Sequence, residues 1–262
     1  MMRRLVTLLL AVLAIPLLSH CGTVTEKPVY LLDTSTLRAF QPGDRLVYAA
    51  VGRRTTTFVQ DIDGSASITW FSSSETVYPG NNRRITDEGL LAREQFSLGT
   101  GSASESIDYH YWQDTQGSLY LYAIGLAGDL FWIMPAGGDT PGVELFQSPL
   151  PGESSFSMAF DIYLCEQNNC FQVGRGQQER TYQGIERQTT PYAHFEAYRY
   201  SYSFITESLD TTRFDNDPIA DISGMRWYYP RLGIVKFAFS RNTSDERLII
   251  EASLSTTNIA LP

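Results

Sequence analysis

The sequence predicts an all-β body, an antiparallel and strongly curved sheet built as a half-barrel or sandwich, behind an N-terminal signal peptide. Three observations predict it. Short runs rich in Val, Ile, Thr, Tyr, Phe and Trp recur along the chain, clusters of Gly, Asn, Asp or Pro separate them, and no long segment holds a 3.6-residue apolar period. With 262 residues, 43% hydrophobic and 13% aromatic, the chain can bury a full core, and its low charge content argues against disorder.

The chain begins with a positive start, Met1-Met2-Arg3-Arg4, followed by an apolar run over 5–18 broken only by Thr7 and Pro16. As a helix that run spans only about 21 Å, short of the roughly 30 Å hydrocarbon core, so it reads as an export signal over 1–20 and not as a permanent span. Leu18-Ser19-His20-Cys21 resembles the lipobox of bacterial lipoproteins, in which a leucine and two small residues precede a lipidated cysteine; His20 departs from the small residue usual there. The resemblance implies acylation of Cys21, a short tether over 21–28 and a folded body over 29–262. Gly22 after the cysteine resembles the outer-membrane default of Gram-negative lipoproteins, with the body facing the periplasm. Several acyl chains, at about 0.8 kcal/mol per buried methylene, would hold such an anchor permanently.

Strands are expected over 46–52, 55–60, 66–71, 91–98, 106–112, 118–124 and 130–134. Asp61-Ile62-Asp63-Gly64 and Asp114-Thr115-Gln116-Gly117 supply two of their turns. Residues 86–95 are the one candidate short helix, although Asp87-Glu88-Gly89 suits a turn better. Further strands follow over 155–165, 170–174, 180–188, 192–206, 224–229, 233–240 and 247–256. Pro-Gly-acid turns at Pro42-Gly43-Asp44 and Pro151-Gly152-Glu153 both lead into strands, which suits either two related β-halves meeting near 135–151 or two unrelated turns. Cys165 and Cys170 flank four turn-compatible residues between alternating runs, the geometry of a disulfide across a β-hairpin. A loop this short contributes roughly 2 kcal/mol by the chain-entropy argument.

Phe40-Gln41-Pro42-Gly43-Asp44-Arg45-Leu46-Val47-Tyr48 and Trp227-Tyr228-Tyr229-Pro230-Arg231-Leu232-Gly233-Ile234-Val235-Lys236 resemble the opening and closing motifs of a family of uncharacterised bacterial lipoproteins. The stretch from Tyr182 to Ala197 is similar to a Gly- and Pro-containing segment of that family. Leu46 stands where the family has Trp, and Arg231 and Ala193 where it has Gly. The resemblance implies a β-rich envelope lipoprotein and assigns no activity.

Charge and composition exclude several functions. Without Arg3 and Arg4, 18 basic residues remain against 29 acidic ones, a net of −11, the wrong sign for a nucleic-acid binder. His110 and His194 lie in strand-like runs and no Gly-x-Ser-x-Gly elbow exists, so the expectation is a non-enzymatic protein without a cofactor. Gly99-Thr100-Gly101 and Gly174-Arg175-Gly176 lack the helix and lysine of a phosphate loop. Asp61, Asp63 and Gly64 lack the remaining ligands of a calcium loop, and Asp210, Asp215, Asp217 and Asp221 read as a solvated connection, so no metal site is expected. Asn242-Thr243-Ser244 matches a glycosylation sequon and reads as a turn.

Aromatic alternation is the remaining signal. Tyr198, Tyr200, Tyr202 and Phe204 share one strand face, and Tyr109 and Tyr111 repeat the pattern. Such stripes form either a filled inner face or the wall of a groove for an apolar ligand, since tyrosine joins an apolar body to a polar tip. Two functions are therefore expected. The preferred one is an interaction or scaffolding module held to the membrane through its N-terminal lipid, with an envelope protein as partner; the alternative is a carrier for lipid or another apolar ligand.

Overall fold

The computed structural model describes residues 26–72, 76–77, 84–85, 89–98, 104–114, 116–126, 129–136, 142–166, 169–209, 221–242 and 246–262. Their strands are β1 (Val29–Tyr30), β2 (Arg45–Thr55), β3 (Val59–Ser72), β4 (Thr76–Val77), β5 (Arg84–Ile85), β6 (Gly89–Leu98), β7 (Ser104–Gln113) and β8 (Leu119–Leu126). They continue as β9 (Asp129–Pro135), β10 (Val143–Phe146), β11 (Ser155–Glu166), β12 (Asn169–Thr189), β13 (His194–Ser208), β14 (Asp221–Tyr229), β15 (Gly233–Asn242) and β16 (Arg247–Thr257). The signal segment, Cys21, Gly99-Thr100-Gly101, Asp210, Asp215, Asp217 and the sequon's Thr243 and Ser244 lie outside the described residues.

Twelve strands pair in the order β13-β12-β11-β9-β8-β7-β6-β3-β2-β16-β15-β14, and β14 pairs back onto β13 from Tyr198↔Tyr228 to Ile205↔Asp221. The half-barrel or sandwich expectation is thereby corrected: the sheet closes on itself as an antiparallel barrel. The physical reason is that β13 uses both of its edges, on β12 and on β14, so neither end of the sheet keeps a free row of backbone donors and acceptors.

Alternation decides which residues face inward. Leu46, Tyr48 and Ala50 of β2, Ile62, Ala66, Ile68 and Trp70 of β3, and Leu248, Ile250, Ala252 and Leu254 of β16 are all buried. This period also overrides the turn expected at Asp61-Ile62-Asp63-Gly64. β3 runs straight through these residues, with Ile62 inside and Asp61 outside in an exposed ion pair with Arg53 at 3.1 Å. The chain reverses instead at 56–58, in the middle of the strand expected over 55–60, whose first residue ends β2 and whose last two begin β3. The two strands expected over 170–174 and 180–188 are likewise one 21-residue strand, β12. It absorbs Gly174-Arg175-Gly176 because a side chain at 176 would meet the Phe160 ring at 2.4 Å. The residues described within 86–95 are strand, in β6.

One end of the barrel is plugged. β10, absent from the sequence expectation, pairs with β8 below the point where β9 leaves it, and its residues cross the interior toward β12. Phe146 packs on Tyr228 at 4.4 Å and edge-on against Tyr200 at 5.7 Å. The segment before β2 seals the same end: Phe40 stacks on Trp70 at 4.1 Å, Leu150 N donates to the Ser35 carbonyl at 2.7 Å, and Arg38 N donates to the Pro230 carbonyl at 3.0 Å. Asp44 fixes the turn into β2 by accepting from Gln41 N at 2.7 Å while paired with Arg38, and Gly43 supplies the φ of +94° that the turn needs. β1 adds to the start of β13 in parallel, so the chain reaches the barrel at this plugged end.

Candidate functional site

The inward faces do not fill the barrel completely. A cavity of about 110 Å3 lies between the plug and the end at which β13 and β15 terminate. Its apolar lining includes Leu121, Ile124 and Ile222, and its polar lining includes Gln178, Arg180, Ser203, Arg226 and Arg241 beside the tyrosines. Two smaller voids of about 30 and 20 Å3 adjoin it, and Arg226 lines all three.

Five of the six aromatics singled out from the sequence stand in the cavity wall: Tyr109, Tyr111, Tyr200, Tyr202 and Phe204. The Tyr109 and Tyr111 rings lie 6.0 Å apart and nearly parallel, and Phe204 stacks on Phe160 at 4.8 Å. The Tyr200 hydroxyl donates to the Pro151 carbonyl at 3.0 Å, which ties the wall to the plug. Tyr198 is buried outside the cavity wall, 6.2 Å from the Tyr182 ring. The disulfide joins Cys165 to Cys170 across the β11–β12 hairpin, away from the cavity.

Sequence reasoning missed the charged groups. Burial raises the Glu94 pKa, and the nearby Arg226 opposes that rise. Burial pulls the Arg226 pKa down, yet Tyr202, Glu94 and Tyr111 more than offset it, so the guanidinium stays charged. It sits over the Tyr202 ring at 4.3 Å from the centroid. Glu94 and Arg226 keep some accessible surface because they face the voids, not bulk water. Burial also pushes the phenols of Tyr48, Tyr109, Tyr111, Tyr200, Tyr202 and Tyr228 upward, so they remain neutral hydrogen-bonding groups. The available signal was alternation itself: Arg226 shares a strand face with Tyr228, as Glu94 does with Ala92 and Arg180 with Gln178.

Gln178 and Arg180 are neighbours on the inner face of β12, 3% and 2% exposed. Gln178 Nε2 donates to the Glu144 carbonyl at 2.9 Å. Arg180 Nη1 donates to the Leu145 carbonyl at 2.7 Å and Nη2 to Glu144 Oε1 at 3.2 Å. Gln178 Oε1 and Arg180 Nε find no hydrogen-bond partner among the described residues.

The two histidines do not converge. His110 lies edge-on to the Tyr122 ring at 5.7 Å, its pKa lowered by burial against the opposing effect of Asp108, and His194 Nδ1 lies 3.0 Å from Thr189 Oγ1. Among the described residues no three His, Cys, Asp or Glu side chains form a group that could hold a metal ion.

No protein-family model matches the chain, and no curated protein matches it. Two solved structures do. One is described as an exported protein with a YmcC-like fold from Bacteroides fragilis NCTC 9343, 14% identical, covering 85% of this chain and 99% of its own, with a TM-score of 0.39. The other is described as a lipoprotein from Parabacteroides distasonis ATCC 8503, 13% identical, covering 86% and 99%, with a TM-score of 0.40. Neither likeness is close enough to transfer a function.

Proposed function

We propose that this protein is a carrier or binding module for an apolar or amphipathic ligand held inside the barrel, exported and anchored in the bacterial envelope through acylated Cys21. The observation that carries the ligand reading is the internal cavity of about 110 Å3, with its aromatic wall and its inward-facing polar groups. Closed barrels of this kind hold ligands because the sheet supplies a rigid, water-excluding wall and a few polar side chains orient what enters. The carrier reading is preferred to the scaffolding one because the tyrosine stripes face this interior, where a partner protein cannot reach them.

Native mass spectrometry of the purified protein, before and after incubation with extracted envelope lipids, tests the ligand reading. A bound species is expected in the wild type and is lost in Ile222→Trp, which places an indole in the cavity. Absence of any bound species across several preparations, or equal binding by the filled variant, overturns it. Fatty-acid labelling compared between wild type and Cys21→Ser tests the anchor separately, and equal labelling removes it.

A further inference from the structure

Charge is unevenly divided among the voids inside the barrel. Arg180, Arg226 and Arg241 line the cavity of about 110 Å3, and among the described residues no carboxylate does. Two of these arginines are matched: Arg180 meets Glu144 at 3.2 Å and Arg241 meets Glu246 at 3.1 Å. Arg226 has no carboxylate in ion-pair contact among the described residues, yet it keeps accessible surface and borders every one of the three voids. Glu94, whose charge reaches it through space, lines the two smaller voids and not the large one. The Tyr202 ring, 4.3 Å away at its centroid, offers a π face and no full negative charge. Tyr109, Tyr111 and Tyr202 add none either, since burial keeps their phenols neutral.

A guanidinium taken out of water without a contacting anion carries a desolvation cost that an entering anion offsets. One unmatched guanidinium calls for one negative charge, and its planar fork of donors fits a carboxylate. The rest of the lining, with Leu121, Ile124, Phe146, Phe204 and Ile222, suits a hydrocarbon. The cavity is smaller than the roughly 150 Å3 at which an engineered apolar cavity holds benzene, so the enclosed part is a headgroup with a few carbons. We infer that Arg226 receives the carboxylate of an amphipathic ligand in this cavity, which makes the cargo a monoanionic organic acid. This statement rests on the carrier reading and specifies the charge of its ligand.

The test titrates the full chain in detergent with propanoate and with propanamide at pH 8, following the Arg226 Nε–H signal by proton–nitrogen NMR. The two probes share a shape, are smaller than benzene, and differ in charge. Propanoate is expected to move that signal and to bind at least about ten-fold more tightly, the lower end for a hydrogen bond to a charged group. Glu94→Gln, which removes the competing carboxylate, is expected to tighten propanoate binding about ten-fold and leave propanamide unchanged, a gain that loss of folding cannot mimic. Arg226→Met added to Glu94→Gln takes away the cation and is expected to abolish the preference. Equal binding of the two probes overturns the inference, as does a propanoate preference that leaves the Arg226 signal unmoved or survives Arg226→Met. Propanoate binding that does not tighten in Glu94→Gln overturns it as well. Binding of neither probe also overturns it, and the carrier reading is then decided by the mass-spectrometric experiment, which registers any bound species whatever its charge.

Discussion

Replacing Arg226 with Met removes the cation shared by all three internal voids. Two effects follow, and pH separates them. The first is loss of the guanidinium from the Tyr202 ring at 4.3 Å, a desolvated contact of about 2 kcal/mol that does not vary with pH. The second acts through Glu94, whose pKa burial raises and Arg226 restrains. Without Arg226 that pKa climbs further, so the folded variant retains a proton that the unfolded chain has lost above its ordinary value of 4.5. A carboxyl with a raised folded pKa destabilises as pH rises from the unfolded value through the folded one, by about 1.4 kcal/mol for each pH unit that separates the two. Urea unfolding followed by tryptophan fluorescence should therefore give a loss of about 1–2 kcal/mol at pH 4 and about 3–5 kcal/mol at pH 7.5, the range for breaking a buried pair. Adding Glu94→Gln should remove the pH-dependent part. A deficit that is constant between the two pH values, or that shrinks as pH rises, would refute the coupling.

Alkaline titration followed by the ultraviolet absorbance of phenolate should leave the inward tyrosines neutral well beyond pH 10 until the barrel unfolds, with Tyr120, pushed up to about 12 mainly by burial, ionising before Tyr109 and Tyr111. Because burial raises their pKa values, these phenols carry no penalty below pH 10 and destabilise the fold progressively as pH climbs from there toward the folded values; a single transition near pH 10 in the folded protein would contradict this. Gly52→Ala should lower the melting temperature steeply, because the new Cβ would lie 2.1 Å from the Ile249 carbonyl oxygen across the β2–β16 ladder. An unchanged melting temperature would mean that the two backbones are not so close. Cys165→Ser with Cys170→Ser should cost about 2 kcal/mol in urea unfolding and leave probe binding unchanged, since the closed loop is short and remote from the cavity.

The strands were legible because their two-residue period is strong, and the turn residues at Asp114 and Gly117 marked a real reversal: Asp114 Oδ1 accepts from Gln116 N and Ser118 N, and Gly117 takes a φ of +94°. Closure was not legible. It depends on the pairing of the last strand with the first long one, β16 on β2, as at Arg247↔Thr55, between segments far apart in the chain, which local patterns do not encode. Turn-like composition misled at Asp61-Ile62-Asp63-Gly64, where out-in-out-in alternation outweighs residue type and the two acids simply face water. The aromatic wall could be read from its stripe, because tyrosines at i and i+2 must share a face. Glu94, Gln178, Arg180 and Arg226 were missed, because a polar residue inside a barrel looks like one on the outside until a neighbour two residues away, such as Tyr228 for Arg226, fixes the inward phase of its strand.

The route of the N-terminus has a directional consequence. The Pro28 carbonyl accepts from His194 N at 2.9 Å, and Lys27 Nζ donates to the Thr190 carbonyl at 2.8 Å, so the chain departs beside the sealed pole. Cys21 lies five residues before Glu26, a reach of at most about 18 Å when extended. An acylated Cys21 would therefore press the sealed pole toward the leaflet and turn the opposite rim to the aqueous compartment. Cargo would then be exchanged with a donor or acceptor approaching from that compartment, and not drawn up directly from the lipid underneath.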